Sequence, residues 1–441
     1  MLGPGPYGVA AMATTVVSLG SIFALLGMDT AYTRLSLQLE FRNRRQVESF
    51  CWRTCCMAAL IGAVVIGSAW YFYGEFWLPK DYLVVTAYST FAIILFPLVS
   101  LATARARIHE RYGRLAFAIL AGAISSSLVS ISVAKLWRAD AFTLLLGYIS
   151  FPLVTFLILG LPRLSTIKNA SDISPETRKL AWRFGIATSI TAPAYWIISS
   201  ADRWFLVEFT STSQVGIYST SASIALLGLI LNTSLNSVWL PEATRAYEKN
   251  QVASLESLGK TWQLMITLLA LIWLTVTAAG GDIIRFLTPS QFHSGAQYIP
   301  WLAGGVFFYG LATLCSAPFF IKHQMGKLAL LWLISALFSL FLNYLLVPEH
   351  GPDGAALVQT ISFLLLAVLV FFLSRKILPF PTNWGRLVPC LILSLVAGLI
   401  MQGEWHMNPL ASMALKLPCG VAVVFLVCRF INFSIWSINR D

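Results

Sequence analysis

Charge is what this chain is short of. Asp, Glu, Lys and Arg make up 11% of its 441 residues, 57% are hydrophobic, and the mean hydropathy is +0.75. That shortage excludes a water-soluble globular fold, in which roughly a quarter of residues are charged. Acidic residues are the scarcer sign, 19 against 30 basic. The resulting +11 calls for no nucleic acid, because basic loops facing anionic lipid account for it. His109, His293, His323, His350 and His406 stand singly, without ligand spacing, and no CxxC pair occurs, so neither a metal site nor a cofactor is expected. Cys51, Cys55, Cys56, Cys315, Cys390, Cys419 and Cys428 lie in or beside apolar stretches and read as small core hydrophobes. The opening segment lacks a basic n-region, so no cleavable signal peptide is expected.

What the chain does contain is a repeated apolar pattern. Thirteen stretches are long enough to cross a ~30 Å hydrocarbon core as helices. They run 7–28, 54–76, 82–103, 115–133, 141–161, 184–206, 215–239, 262–279, 298–320, 328–346, 355–373, 387–402 and 412–433. The weakest are 387–402, which is short, and 412–433, which contains Lys416. Basic residues are held on the cytoplasmic side during insertion. Alternate connections and the tail carry 24 of the 30, leaving 6 for the other side. The expected fold is therefore all-α and polytopic, with the tail in the cytoplasm and Met1 outside. Nothing precedes the first span to carry that terminus across, so either Met1 to Pro6 is translocated directly or a preceding helix is missing.

An internal repeat bears on the same point. GPGPYGVAAMATTVVSLGSIFALLGMDTAYTR, ending at Arg34, resembles STSQVGIYSTSASIALLGLILNTSLNSVWLPEATR, ending at Arg245. In each, a turn-forming stretch leads to Gly8 or Gly216, a helix rich in small and hydroxyl residues follows, and Thr-Arg closes it. These are the first and seventh spans, an even separation that gives both copies one orientation and implies two parallel, pseudo-symmetric lobes. The expected division is a first lobe at 1–161 lacking its first helix, a cytoplasmic linker at 162–183, a second lobe at 184–373, and an appended helix pair with the tail at 374–441. Within the linker, PETRKLAWRFG reads as an interfacial helix.

The LGPGPYG opening, the LLGMDTAYTR exit, and ADRWFLVEFTSTSQVGIYSTSASIALL followed by VWLPEATR resemble the O-antigen and exopolysaccharide flippases of the multidrug, oligosaccharidyl-lipid and polysaccharide exporter superfamily. The resemblance implies twelve or fourteen helices in two lobes around a central cavity. It also implies movement of an undecaprenyl-pyrophosphate-linked oligosaccharide to the outer leaflet of the cytoplasmic (inner) membrane by alternating access. Thirteen visible spans plus the missing one make fourteen. Lipid-linked oligosaccharide and membrane lipid are the expected partners, with a polysaccharide polymerase or chain-length protein beside them.

Charged groups inside a membrane are functional candidates by default. Asp202 and Arg203 form the best pair: Arg203 as a cation for pyrophosphate with Asp202 directing it, or an interfacial arginine beside belt residue Trp204. Arg34 and Arg245 read as cations at the cytoplasmic mouth or as simple anchors, with Asp29 a partner for Arg34. Asn232 and Asn236, at i and i+4, share a helix face and serve either helix-to-helix bonding or a sugar-contacting wall. Pro193 removes a backbone donor inside the sixth span and is a candidate gating point.

Two rival functions are open. A multidrug or cation antiporter needs a cavity carboxylate, and no Asp or Glu falls near the middle of a span. A polysaccharide polymerase or ligase needs a large outer loop. The longest outer connection, Gly280 to Tyr298, offers only Asp282, Arg285 and His293.

Overall fold

The computed structural model describes residues 3–38, 41–78, 80–137, 140–160, 173–249, 253–403 and 408–430. Among them there is no strand, and nine helices are long and apolar enough to cross a membrane. The chain is a multi-pass, all-α membrane protein that packs as two units, Met1–Gly216 and Ile217–Asp441.

The first unit holds α1 (Pro4–Leu25), α2 (Met28–Gln38), α3 (Phe41–Trp77), α4 (Tyr82–Ile108), α5 (Tyr112–Leu136), α6 (Ala141–Leu159), α7 (Pro175–Ser200) and α8 (Asp202–Phe209). Helix α9 (Thr212–Ala225) carries the boundary. The second unit continues with α10 (Leu227–Lys249), α11 (Ala253–Leu287), a 3-10 segment (Ser290–Tyr298), α12 (Ile299–Leu314), α13 (Ala317–Ile321), α14 (Met325–Ile377), α15 (Trp384–Met401) and α16 (Pro409–Phe430).

Helix α14 has 53 residues. At ~1.5 Å per residue it would run ~80 Å, far beyond one hydrocarbon core. It breaks at Gly351 (φ 54°), between Pro348 and Pro352, and so contains both the 328–346 and 355–373 spans. Helix α7 begins earlier than its expected span. PETRKLAWRFG forms its opening turns, with the Ser174 hydroxyl accepting the Thr177 N–H at 3.2 Å and Pro175 in the first helical position. Residues 161–172 of the expected linker and 431–441 of the tail lie outside the described residues.

The first span is not one helix closed by Thr-Arg. Helix α1 stops at Leu26 (φ 48°) and Gly27 (φ 64°), and Thr33 and Arg34 ride on α2. Glycine takes the left-handed conformation without a Cβ penalty. The Asp29 carboxylate then accepts the Thr30 N–H at 2.7 Å and opens α2. The seventh span divides likewise, at Leu226, into α9 and α10.

Lipid offers little hydrophobic drive between helices, so close approach of small residues carries the packing. A Cβ on Gly8 would overlap the Thr212 carbonyl, and one on Gly216 would overlap the Pro4 carbonyl. Each repeat glycine therefore lies over the residue four before the other. Gly27 and Gly185 make a second such crossing, which sets α7 against the α1–α2 turn. Around it, Met28, Tyr32, Val47, Cys51, Trp52 and Cys55 form a buried core.

A second internal repeat emerges from the backbone. The α4–α5 turn lies in IHERYGRLA (108–116) and the α13–α14 turn in IKHQMGKLA (321–329). Glu110 and His323 occupy the same place in the two, each with φ 54°. The next residue closes the helix in each case: Arg111 N–H to the Ala106 carbonyl at 2.9 Å, and Gln324 N–H to the Phe319 carbonyl at 2.8 Å. Both are six-to-one helix closures with a non-glycine residue where glycine is usual. Three residues on from Arg111, Arg114 Nε donates to the Ile158 carbonyl at 2.8 Å and seals the end of α6.

Candidate functional site

Asp202 and Arg203 sit at the break between α7 and α8. The Arg203 N–H donates to Asp202 Oδ1 at 2.8 Å, and Arg203 Nη1 takes up the Ser199 carbonyl at 3.0 Å while pairing with Asp202 at 3.2 Å. Asp202 is 1% exposed and Arg203 11%. The Arg203 side chain thus bridges the end of α7 to the start of α8. Beyond it, Trp204 meets Trp77 edge to face at 5.4 Å and Trp70 at 6.0 Å, and the Trp77 indole N–H donates to Glu208 at 2.9 Å. Pro193 lies within α7, which continues to Ser200, and Trp196 one turn on donates to the Ser18 hydroxyl at 2.8 Å.

Arg34 is exposed on α2, its guanidinium 5.2 Å from the centre of the Phe184 ring. Asp29, its expected partner, accepts instead from Thr30 and from the Ser100 hydroxyl at 3.3 Å. Arg245 is exposed near the end of α10. In the second unit, the Asn236 amide donates to Asn232 Oδ1 at 3.2 Å and to the Thr313 hydroxyl at 2.6 Å, which ties α10 to α12. Asn232 is buried against Gly310, and its own amide nitrogen has no partner among the described residues.

Two ion pairs escaped the sequence reading. Glu48 on α3, also bonded by the Tyr32 hydroxyl, pairs with Arg105 on α4 at 2.9 Å. At the same end, partial burial, then Arg105, Arg111 and Arg44, hold His109 below its ordinary range. The other pair is deeper. Asp282 rides on the last turns of α11 and meets Lys416 of α16 at 2.8 Å with exposures of 3% and 1%. Ser412 donates to the same carboxylate oxygen at 2.9 Å, and Lys416 also donates to the Gly403 carbonyl at 3.1 Å. Lys416, the apparent flaw of the last span, is thus neutralised inside the protein. Among the described residues no group of three or more His, Cys, Asp and Glu side chains could hold a metal ion.

Known proteins agree with this architecture. The family described as "Polysaccharide biosynthesis protein" matches residues 1–297. A curated relative, the probable low-salt glycan biosynthesis flippase Agl15 of Haloferax volcanii, is 22% identical over 268 residues. That match takes in 60% of this chain and 56% of the relative, so the chain spans little more than half of the relative's length. Among solved structures, the inward closed conformation of the lipid II flippase MurJ is similar with a TM-score of 0.69 at 15% identity, over 97% of this chain and 92% of that one. An inward-facing multidrug resistance MATE family transporter of the MOP superfamily is similar with a TM-score of 0.62 at 15% identity, over 88% and 92%. With a MurJ- and MATE-like fold and a match over residues 1–297, this chain belongs to the polysaccharide biosynthesis protein family.

Proposed function

We propose that the chain is a flippase that moves an undecaprenyl-pyrophosphate-linked oligosaccharide from the inner to the outer leaflet of the cytoplasmic membrane, for O-antigen, capsule or exopolysaccharide synthesis. The family match over residues 1–297 carries this reading, and the MurJ-like fold is consistent with it. A pyrophosphate and a sugar chain must cross hydrocarbon while the prenyl tail stays in lipid, so alternating access has to supply cations and a polar wall. Exposed Arg34 and Arg245 are our candidates for the first contact with pyrophosphate at the cytoplasmic mouth. Arg203, directed by Asp202, is the candidate further along, and Pro193, within the same α7, is the candidate gating point, whereas Asn232 and Asn236 serve the helix-to-helix bonding of α10 to α12. The tail is cytoplasmic in this reading, and a polymerase or chain-length protein receives the exported glycan.

A proton- or sodium-coupled drug antiporter is the second reading, favoured by the MATE likeness and by the carboxylate of Asp282 inside the helical bundle. Inverted membrane vesicles separate the two. Radiolabelled lipid-linked oligosaccharide should enter the lumen in a manner that depends on the protein, and a cationic dye should not be expelled. Dye efflux without glycan movement would replace the first reading by the second.

A further inference from the structure

Within the first unit, α1, α4, α5 and α6 line a half-open cavity of about 530 Å³. Thr14, Ser18 and Ser21 line it from one face of α1, at i, i+4 and i+7, with Tyr88, Ser126 and Tyr148 from the other three helices. Its size falls within the ~300–1,000 Å³ typical of small-molecule sites. None of the described residues that line it is charged. A pyrophosphate would need cations there and a cationic drug a carboxylate, and the wall supplies neither.

The hydroxyls remain able to bind. Thr14 donates to the Ala11 carbonyl at 2.8 Å and Ser18 to the Thr15 carbonyl at 2.8 Å, which leaves oxygen lone pairs as acceptors. The buried Ser21 hydroxyl has no partner among the described residues, a state that a ligand hydroxyl would relieve. The tyrosine rings offer flat apolar faces, and Trp196 pins Ser18 from α7. A largely apolar, uncharged wall that includes Phe96, Phe151 and the two tyrosines, with hydroxyls along the α1 face, matches a pyranose, which is apolar on its ring faces and hydroxylated at its rim.

We infer that this cavity is a subsite for an uncharged sugar of the transported glycan, so that the first unit selects neutral over acidic saccharides. The inference rests on the flippase reading and adds a place and a chemical class to it. Equilibrium binding to the full chain in nanodiscs tests it, with undecaprenyl pyrophosphate bearing a neutral trisaccharide compared with undecaprenyl pyrophosphate alone. The trisaccharide probe should bind about tenfold tighter or better. A trisaccharide carrying a uronic acid should lose that advantage. Ser21→Leu and Ser126→Phe, which fill the space from two helices, should each erase the difference and leave the bare probe bound as before. A monodisperse elution profile shows which variant is folded.

Equal binding of the two probes by the unaltered chain would overturn the subsite and leave the flippase reading intact. So would a difference that survives both substitutions, or competition by undecaprenol that the substitutions abolish, which would make the cavity a lipid-chain site. Binding of neither probe would remove the flippase reading itself and the subsite with it.

Discussion

At the turns of Glu110 and His323 the two units share one backbone solution, down to φ and the closing hydrogen bond, yet their interiors are filled differently. The first unit keeps a roomy, uncharged cavity. In the second, Asn236 reaches Thr313 across the helices, Asn232 lies against Gly310, and Asp282, Ser412 and Lys416 join α11 to α16. One repeated scaffold thus gives an open half suited to a ligand and a half in which polar side chains bond each other. Likeness of backbone is therefore a poor guide to which half binds.

The sharpest way to break this contrast is to cut the second unit's deepest bond. Asp282→Ala removes the carboxylate that balances the buried Lys416 charge, at a cost of about 3–5 kcal/mol, whereas the double change Asp282→Leu with Lys416→Met should be close to neutral. Thermal unfolding in detergent distinguishes them, and equal losses would mean that the pair is no tie. Next in size, Gly8→Val forces a side chain into the Thr212 carbonyl and should cost about 1–3 kcal/mol by overpacking. Gly113→Ala, with nothing within 4 Å of the added carbon, should be neutral by the same measurement.

The shared turn can be tested directly. Glu110→Gly and His323→Gly should each stabilise by about 1 kcal/mol, because glycine adopts the left-handed conformation without Cβ strain. Gains that differ widely would show that the two turns are not equivalent. The smallest effect concerns His109. Its pKa lies below the ordinary ~6.5, so the unfolded chain takes up the proton first as the pH falls. Stability should decline from about pH 6.5 downward until the folded-state pKa is passed, and His109→Gln should flatten that decline in unfolding curves taken at stepped pH.

Much of the fold was legible because apolar runs and the bias of Lys and Arg are local properties of the chain. The repeat glycines were legible too, though their mutual contact was not. The break after Leu25 had a signal, Gly27 followed by Asp29, which was outweighed by the unbroken apolar run. The Glu110 and His323 turns could have been found from the shared Gly-Arg/Lys-Leu-Ala that follows them. Asp282 is different. It lies near the end of its apolar run and reads as part of a connection, and only a partner 134 residues away explains how Lys416 can sit in a span. No periodicity encodes such a pairing. From sequence Arg203 reads either as a cation for pyrophosphate or as an interfacial arginine beside Trp204, and its role at the helix break depends on the Ser199 carbonyl, which only the folded backbone reveals.

Transport by the purified chain is the most direct test. Proteoliposomes loaded symmetrically with a fluorescent lipid-linked neutral oligosaccharide are exposed to an impermeant glycosidase. In protein-free vesicles only the outer-leaflet half is cleaved, and with the chain present cleavage should proceed to near completion, slowed by Ser126→Phe. Cleavage that stops at the outer-leaflet half in both preparations would contradict the account.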